Sequence, residues 1–177
     1  MNFRVITRIL GSLLIIEAAG MLLSLFVSLY YKQNDWIAFL ISIIITGTTG
    51  FIMFIVPGKK NTLKIKEGLT IVTMGWVLIS LFGSLPFIIS GGIPSFTDAF
   101  FETVSGFTTT GASILKDIEV LPFGILFWRS FTHWIGGMGI IVFTVAVLPA
   151  MGVGSLQIIK AESPGPSTDK MVPRIKD

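Results

Sequence analysis

Hydrophobic positions along this chain gather into four long runs separated by short polar stretches. The first covers residues 5–31, VITRILGSLLIIEAAGMLLSLFVSLYY; the second covers 36–56 and is closed by PGKKN; the third covers 69–90; the fourth covers 121–148 and is closed by Pro149. A helix that crosses the hydrocarbon core takes roughly 20 predominantly apolar residues, and each run meets that length. Arg4 and Arg8 ahead of an apolar stretch, with AAG after it, give the first run the outline of a signal peptide. The run continues to Tyr31, well past the apolar length of such a peptide, so it reads as a retained helix.

The connection between the third and fourth runs has a different pattern. Ser95 suits an N-cap, with Asp98 three positions on as a near-miss of a capping box. Phe96, Ala99, Phe100, Thr103 and Val104 recur at helical spacing. The predicted helix of about twelve residues, following the Ser95 cap and ending at Phe107, is about 18 Å long, roughly half the hydrocarbon thickness, so it enters a membrane without crossing it. The stretch ETVSGFTTTGAS, residues 102–113, must then bring the chain back. Non-helical backbone at membrane depth is tolerated only inside protein or along a water-filled cavity. Five or six extended residues climb roughly 17–20 Å, which matches the descent. Carbonyl oxygens exposed by such a segment and arranged as a ring replace the hydration shell of a potassium ion. Threonine hydroxyls add acceptors and threonine favours extended backbone. Gly111 suits a point where the backbone needs a conformation closed to other residues. An amphipathic outer loop with a Thr-rich turn is the alternative; the two flanking spans and the half-length helix favour a pore loop.

Composition supports the membrane reading. Of 177 residues, 52% are hydrophobic and only 13% charged, which is little charge for a soluble domain. The absence of cysteine removes disulfides and thiolate metal sites. A net charge of +3, carried in loops, argues against a nucleic-acid partner. Arg4 and Arg8, then Lys59, Lys60, Lys64 and Lys66, then Lys160, Lys170, Arg174 and Lys176 fall on one side of a four-span topology; Lys32 and Lys116 fall on the other. The positive-inside rule then places both termini in the cytoplasm, with Tyr30, Tyr31 and Trp36 at the outer interface.

FFETVSGFTTTGAS, then WRSFTHWIGGMGIIVFTVAVLPAMGVG, then AESPGP and MVPRI closely resemble the membrane subunit of bacterial Trk potassium uptake systems, the TrkH/KtrB family. The likeness is specific from Leu69 onward; the first two helices resemble an extra N-terminal hairpin of the TrkH branch. The resemblance implies an all-α integral membrane fold, with an N-terminal helical hairpin (1–60), a first helix–pore loop–helix repeat of the potassium-channel-like type (61–155), and a cytoplasmic linker (156–177) to a second repeat. Family members carry four such repeats around one pore, so this chain is expected to be an N-terminal fragment or a truncated product. By position, Thr109, Thr110, Gly111 and Ala112 look like the carbonyl-bearing selectivity filter, with potassium at Thr109 and Thr110 and with Thr108 and Ser113 flanking. The potassium-channel pattern TVGYG has two glycines where this stretch has one, so weaker discrimination against sodium is expected. The resemblance also implies a homodimer of full-length subunits, a cytoplasmic nucleotide-binding regulatory subunit and the bacterial inner membrane.

Gly136, Gly137 and Gly139 in the fourth run each cost roughly 1 kcal/mol of helix propensity against alanine; a hinge and close helix contact are the two readings. TGTTG, residues 46–50, reads as packing. Glu102 and Arg129 both fall on the outer half of the membrane, where they could pair to brace the short helix or reach interfacial water separately. Glu17 has no evident partner, and a cap to a neighbouring helix suits it better than ion binding. The lone His133 suits packing or hydrogen bonding better than a proton relay. No catalytic constellation, phosphate-binding loop or metal cluster occurs, so neither an enzyme nor an organic cofactor is expected. The sequence therefore reads as the first repeat of a pore-forming potassium transport subunit in membrane lipid. A short subunit conducting as a homotetramer and a non-conducting membrane scaffold are the alternatives.

Overall fold

The computed structural model describes residues 3–56 and 65–150. Lys59, Lys60, Lys64, Lys160, Lys170, Arg174, Lys176 and the proposed linker 156–177 lie outside the described residues. Within them the chain is all-helical: α1 (Phe3–Tyr30), α2 (Trp36–Ile55), α3 (Ile65–Gly83), α4 (Leu85–Ile89), α5 (Phe96–Phe107) and α6 (Phe123–Ala150). Among the described residues, Phe3–Tyr30, Trp36–Ile55 and Lys66–Ile89 are long and apolar enough to cross a membrane. The chain divides into units 1–140 and 141–177. Of the second unit only the last turns of α6 are described; the hairpin, the short helices and the start of α6 all belong to the first.

α1 and α2 form a hairpin whose backbones touch. A side chain on Gly11 would sit 2.6 Å from the Gly50 carbonyl oxygen and 2.7 Å from the Phe54 nitrogen. Small residues that admit such contact drive helix association in lipid, where apolar side chains gain nothing by leaving the tails. Apart from the core residue Phe39, the buried face of α2 follows suit: Ala38, Ser42, Thr46 and Gly50. The packing reading of residues 46–50 thus agrees with the contact at Gly50.

The loop between these helices docks onto the start of α6. The Phe123 N–H donates to Gln33 Oε1 at 2.7 Å, across a sequence separation of 90. The Ser28 hydroxyl donates to Asp35 Oδ1, and a side chain on Gly124 would run into the other Asp35 oxygen and Ser28. The Gln33 amide oxygen satisfies one free N–H of the α6 N-terminus, and the Asp35 carboxylate beside Gly124 complements its dipole.

The third apolar run is not one helix. α3 ends at Gly83 and α4 begins at Leu85, with Pro86 in its first turn. Proline has no N–H to offer the preceding turn and its ring clashes with that turn's carbonyl. Two bonds stabilise the break. Ser84 Oγ donates to the Leu81 carbonyl at 2.7 Å, and the buried Trp128 indole donates to the Gly83 carbonyl at 2.9 Å. Around these elements Met21, Phe39, Phe87, Ile93, Ala99, Leu121, Ile125 and Trp128 form the core, so the hairpin, the break, α5 and α6 share one apolar centre.

Candidate functional site

α5 is the short helix expected from the sequence, at 12 residues. Ser95, with extended backbone, caps it by accepting from the Asp98 N–H at 3.5 Å. Its buried face differs from the hydrophobic stripe. Phe96 is exposed, whereas Ala99, Glu102, Thr103, Ser105, Gly106 and Phe107 are buried. Hydrogen bonding and close backbone approach set this face, and hydrophobicity does not report either.

The C-terminus of α5 closes by a double bond pattern. The Thr110 N–H returns to the Ser105 carbonyl at 3.0 Å and the Thr109 N–H to the Gly106 carbonyl at 2.9 Å. With Thr108 as C-cap, this is a Schellman motif, and Thr109 holds the left-handed position usually given to glycine. Its φ is +57°, a conformation that costs an L residue about 1–2 kcal/mol. For a β-branched residue such an outlier marks strain that the surroundings must enforce. Gly111 follows with φ +74°, which needs no enforcement in glycine. The uniformly extended backbone expected from threonine propensity is therefore interrupted at two positions. The backbone turns left-handed at 109 and again at 111, because the closing bonds of α5 outrank the local preference of Thr109.

Residues 108–114 are exposed in this chain. Among the described residues, the carbonyls of Thr108, Thr109, Thr110 and Gly111 accept no hydrogen bond. The Ala112 carbonyl accepts from Ser105 Oγ at 2.6 Å, and the hydroxyls of Thr108 and Thr110 lie 2.8 Å apart. Nothing in the apolar pattern singled out Ser105; its one sequence signal is a hydroxyl within the last turn before the Thr-rich stretch.

The structure brings Glu102, Ser113 and Arg129 together. Arg129 Nε–H donates to Glu102 Oε1 at 2.6 Å. The Ser113 hydroxyl reaches both carboxylate oxygens at 3.0 and 3.1 Å, and the Ile114 N–H donates to Oε2 at 3.2 Å. Glu102 is 1% exposed and Arg129 15%, so this is a buried ion pair whose carboxylate is filled by further donors, the condition under which burying charge is sustainable. It fastens the far end of the return segment to α5 and α6 at once. His133 Nδ1 and the Thr132 hydroxyl both donate to the Arg129 carbonyl, at 2.9 and 2.7 Å, which gives His133 a hydrogen-bonding role.

α6 is helical through Gly136, Gly137 and Gly139, and the three differ. A side chain on Gly136 would lie within 2.8 Å of Phe107 backbone atoms, one on Gly137 meets only Thr109 Cγ2 at 3.8 Å, and one on Gly139 only Trp76 at 3.6 Å. Gly136 is thus the seat of the α5 C-terminus. Glu17 is 4% exposed, with neither oxygen hydrogen-bonded among the described residues. It points at Gly83, where Thr103 and Phe107 also converge, and among the described residues it caps no neighbouring helix.

Comparison with known proteins places this geometry. The TrkH model, described as a cation transport protein, matches residues 31–177. The chain is 41% identical to the Trk system potassium uptake protein TrkH of Halomonas elongata over 181 residues, covering all of this chain and 37% of that protein. It is 44% identical to the protein of the same name from Escherichia coli K12 over 180 residues, with the same coverage. The crystal structure of the potassium transporter TrkH from Vibrio parahaemolyticus superposes with a TM-score of 0.80 at 39% identity, over 91% of this chain and 36% of that one. The chain thus spans little more than a third of the length of these relatives.

Proposed function

The chain belongs to the TrkH family of cation transport proteins, and from that premise we propose that it forms one helix–pore loop–helix quarter, with an N-terminal hairpin, of a pore that takes up potassium. One observation carries the reading. A strained, exposed run of backbone at 108–111 keeps four consecutive carbonyls without protein partners among the described residues, while the closing turn of α5 holds its near end and the Glu102–Arg129–Ser113 network fastens the segment beyond it. Desolvated potassium needs oxygen ligands in that form. Thr109, Thr110, Gly111 and Ala112 make the filter segment, with the ion at Thr109 and Thr110 and with Thr108 and Ser113 at its margins. Three further repeats complete the ring in the full-length protein, residues 1–60 form the hairpin, and 156–177 lead onward. The family relationship and the names of the relatives support potassium as cargo. The basic residues support cytoplasmic termini, and the resemblance supports an inner-membrane homodimer under a nucleotide-binding regulatory subunit. The protein works as a transporter, without enzymatic turnover or an organic cofactor.

Gly111→Ser tests the filter. A side chain at φ +74° is penalised by about 1–2 kcal/mol. In the full-length transporter, in cells without other potassium uptake, rubidium half-saturation is expected to rise and sodium to compete better, with insertion retained. Thr110→Ala keeps the carbonyl and has a smaller effect. Unchanged half-saturation and sodium competition in Gly111→Ser would remove the filter assignment and leave a Thr-rich outer loop.

A further inference from the structure

Three consecutive residues of the return segment hang on Ser105. Its carbonyl accepts the Thr110 N–H at 3.0 Å and the Gly111 N–H at 3.5 Å, and its hydroxyl donates to the Ala112 carbonyl at 2.6 Å. Ser105 itself is buried on α5, so it offers a fixed platform. The first two bonds belong to the backbone and survive any change of side chain. The third depends on the hydroxyl alone, and it falls where the character of the segment changes. The carbonyls of residues 108–111 have no protein donor among the described residues, while that of Ala112 does. A carbonyl turned toward a helix and engaged by an O–H is drawn away from the file of free carbonyls.

We propose that Ser105 is a positioning residue that sets ion specificity: its hydroxyl draws the Ala112 carbonyl back onto α5 and ends the row of ion-binding carbonyls at Gly111. This rests on the filter reading of 109–112. Gly111, with its left-handed φ and no side chain, is the pivot at which an unrestrained Ala112 would swing. With the hydroxyl removed, the Ala112 carbonyl joins the row as a loosely held ligand. A mobile carbonyl closes on a small ion as readily as on a large one, so the preference for potassium over sodium falls.

Ser105→Ala and Ser105→Cys in the full-length transporter test this, with rubidium uptake measured against increasing sodium. Ser105→Ala is expected to strengthen sodium competition and raise the half-saturation about 2- to 10-fold, the factor that one net hydrogen bond supplies. Maximal rate and the amount of protein in the membrane stay near wild type. Ser105→Cys fills nearly the same space with a weaker donor and is expected to fall between the two; should Ser105→Ala fail to insert, this variant decides. Wild-type competition in both, together with altered competition in Gly111→Ser, overturns the role of Ser105 and leaves the filter standing. Unaltered competition in all three overturns the filter reading itself. A fall in maximal rate or membrane amount with competition unchanged also overturns the proposal, because it marks Ser105 as packing only.

Discussion

The hairpin and the proposed pore-loop repeat both bury polar groups, and they treat them differently. Among the described residues, every buried side-chain polar atom without a partner lies in the hairpin: both oxygens of Glu17, the hydroxyls of Ser24 and Thr46, and Asp35 Oδ2. In the repeat, Glu102 alone receives donors from Ser113, Ile114 and Arg129, and Trp128 and Ser105 each serve a named carbonyl. The hairpin coheres by backbone contact at Gly11 and Gly50, which demands small residues and no particular hydrogen bond. The repeat must hold Thr109 in a conformation it disfavours, and directional bonds supply that constraint. The hairpin thus coheres by glycine contact, whereas the repeat combines glycine contact at Gly136 with directional bonds to hold its backbone.

The sharpest way to break that contrast is at Glu102. Removing one member of a buried pair leaves an uncompensated charge, at about 3–5 kcal/mol. Glu102→Gln and Arg129→Gln are each expected to lower thermal stability in detergent and rubidium uptake strongly, with the double variant milder than the sum. Strict additivity would mean that the two do not interact. A smaller effect separates glycines of the two regions. Gly136→Ala and Gly11→Ala both force a side chain against backbone, and overpacking of this kind costs about 1–3 kcal/mol. Only Gly136→Ala is expected to shift sodium competition as well, because only it displaces Phe107, one residue before the margin of the proposed filter; Gly137→Ala is expected to alter neither. Smallest of all is Glu17→Gln. It removes no bond seen in the structure, so unfolding temperature and uptake are expected to stay near wild type. A loss as large as that of Glu102→Gln would give Glu17 a partner and end the contrast.

Much of the architecture is legible in the sequence because it rests on length and caps. Ser95 and the half-length apolar stretch place α5. The break at Ser84 escapes the hydropathy pattern, since Pro86 is apolar enough to sit unnoticed in a greasy run and its effect is on the backbone. The conformation of Thr109 runs against its own propensity, because the closing turn of α5 and its seat on Gly136 decide it. Phe96 lies on the exposed side of α5, against the apolar stripe, for a related reason: in a membrane protein a buried face can be chosen by Glu102 and Gly106 as readily as by aromatic rings.

Gln33 gives the chain an order of events. It accepts the first N–H of α6 from a residue 90 positions later, an interval of about 5–18 s at ordinary rates of synthesis of roughly 5–20 residues per second. The residues of the hairpin and its loop are therefore synthesised well before the helix that they contact. The first N–H of the last helix of the repeat thus meets an acceptor that was synthesised well before it.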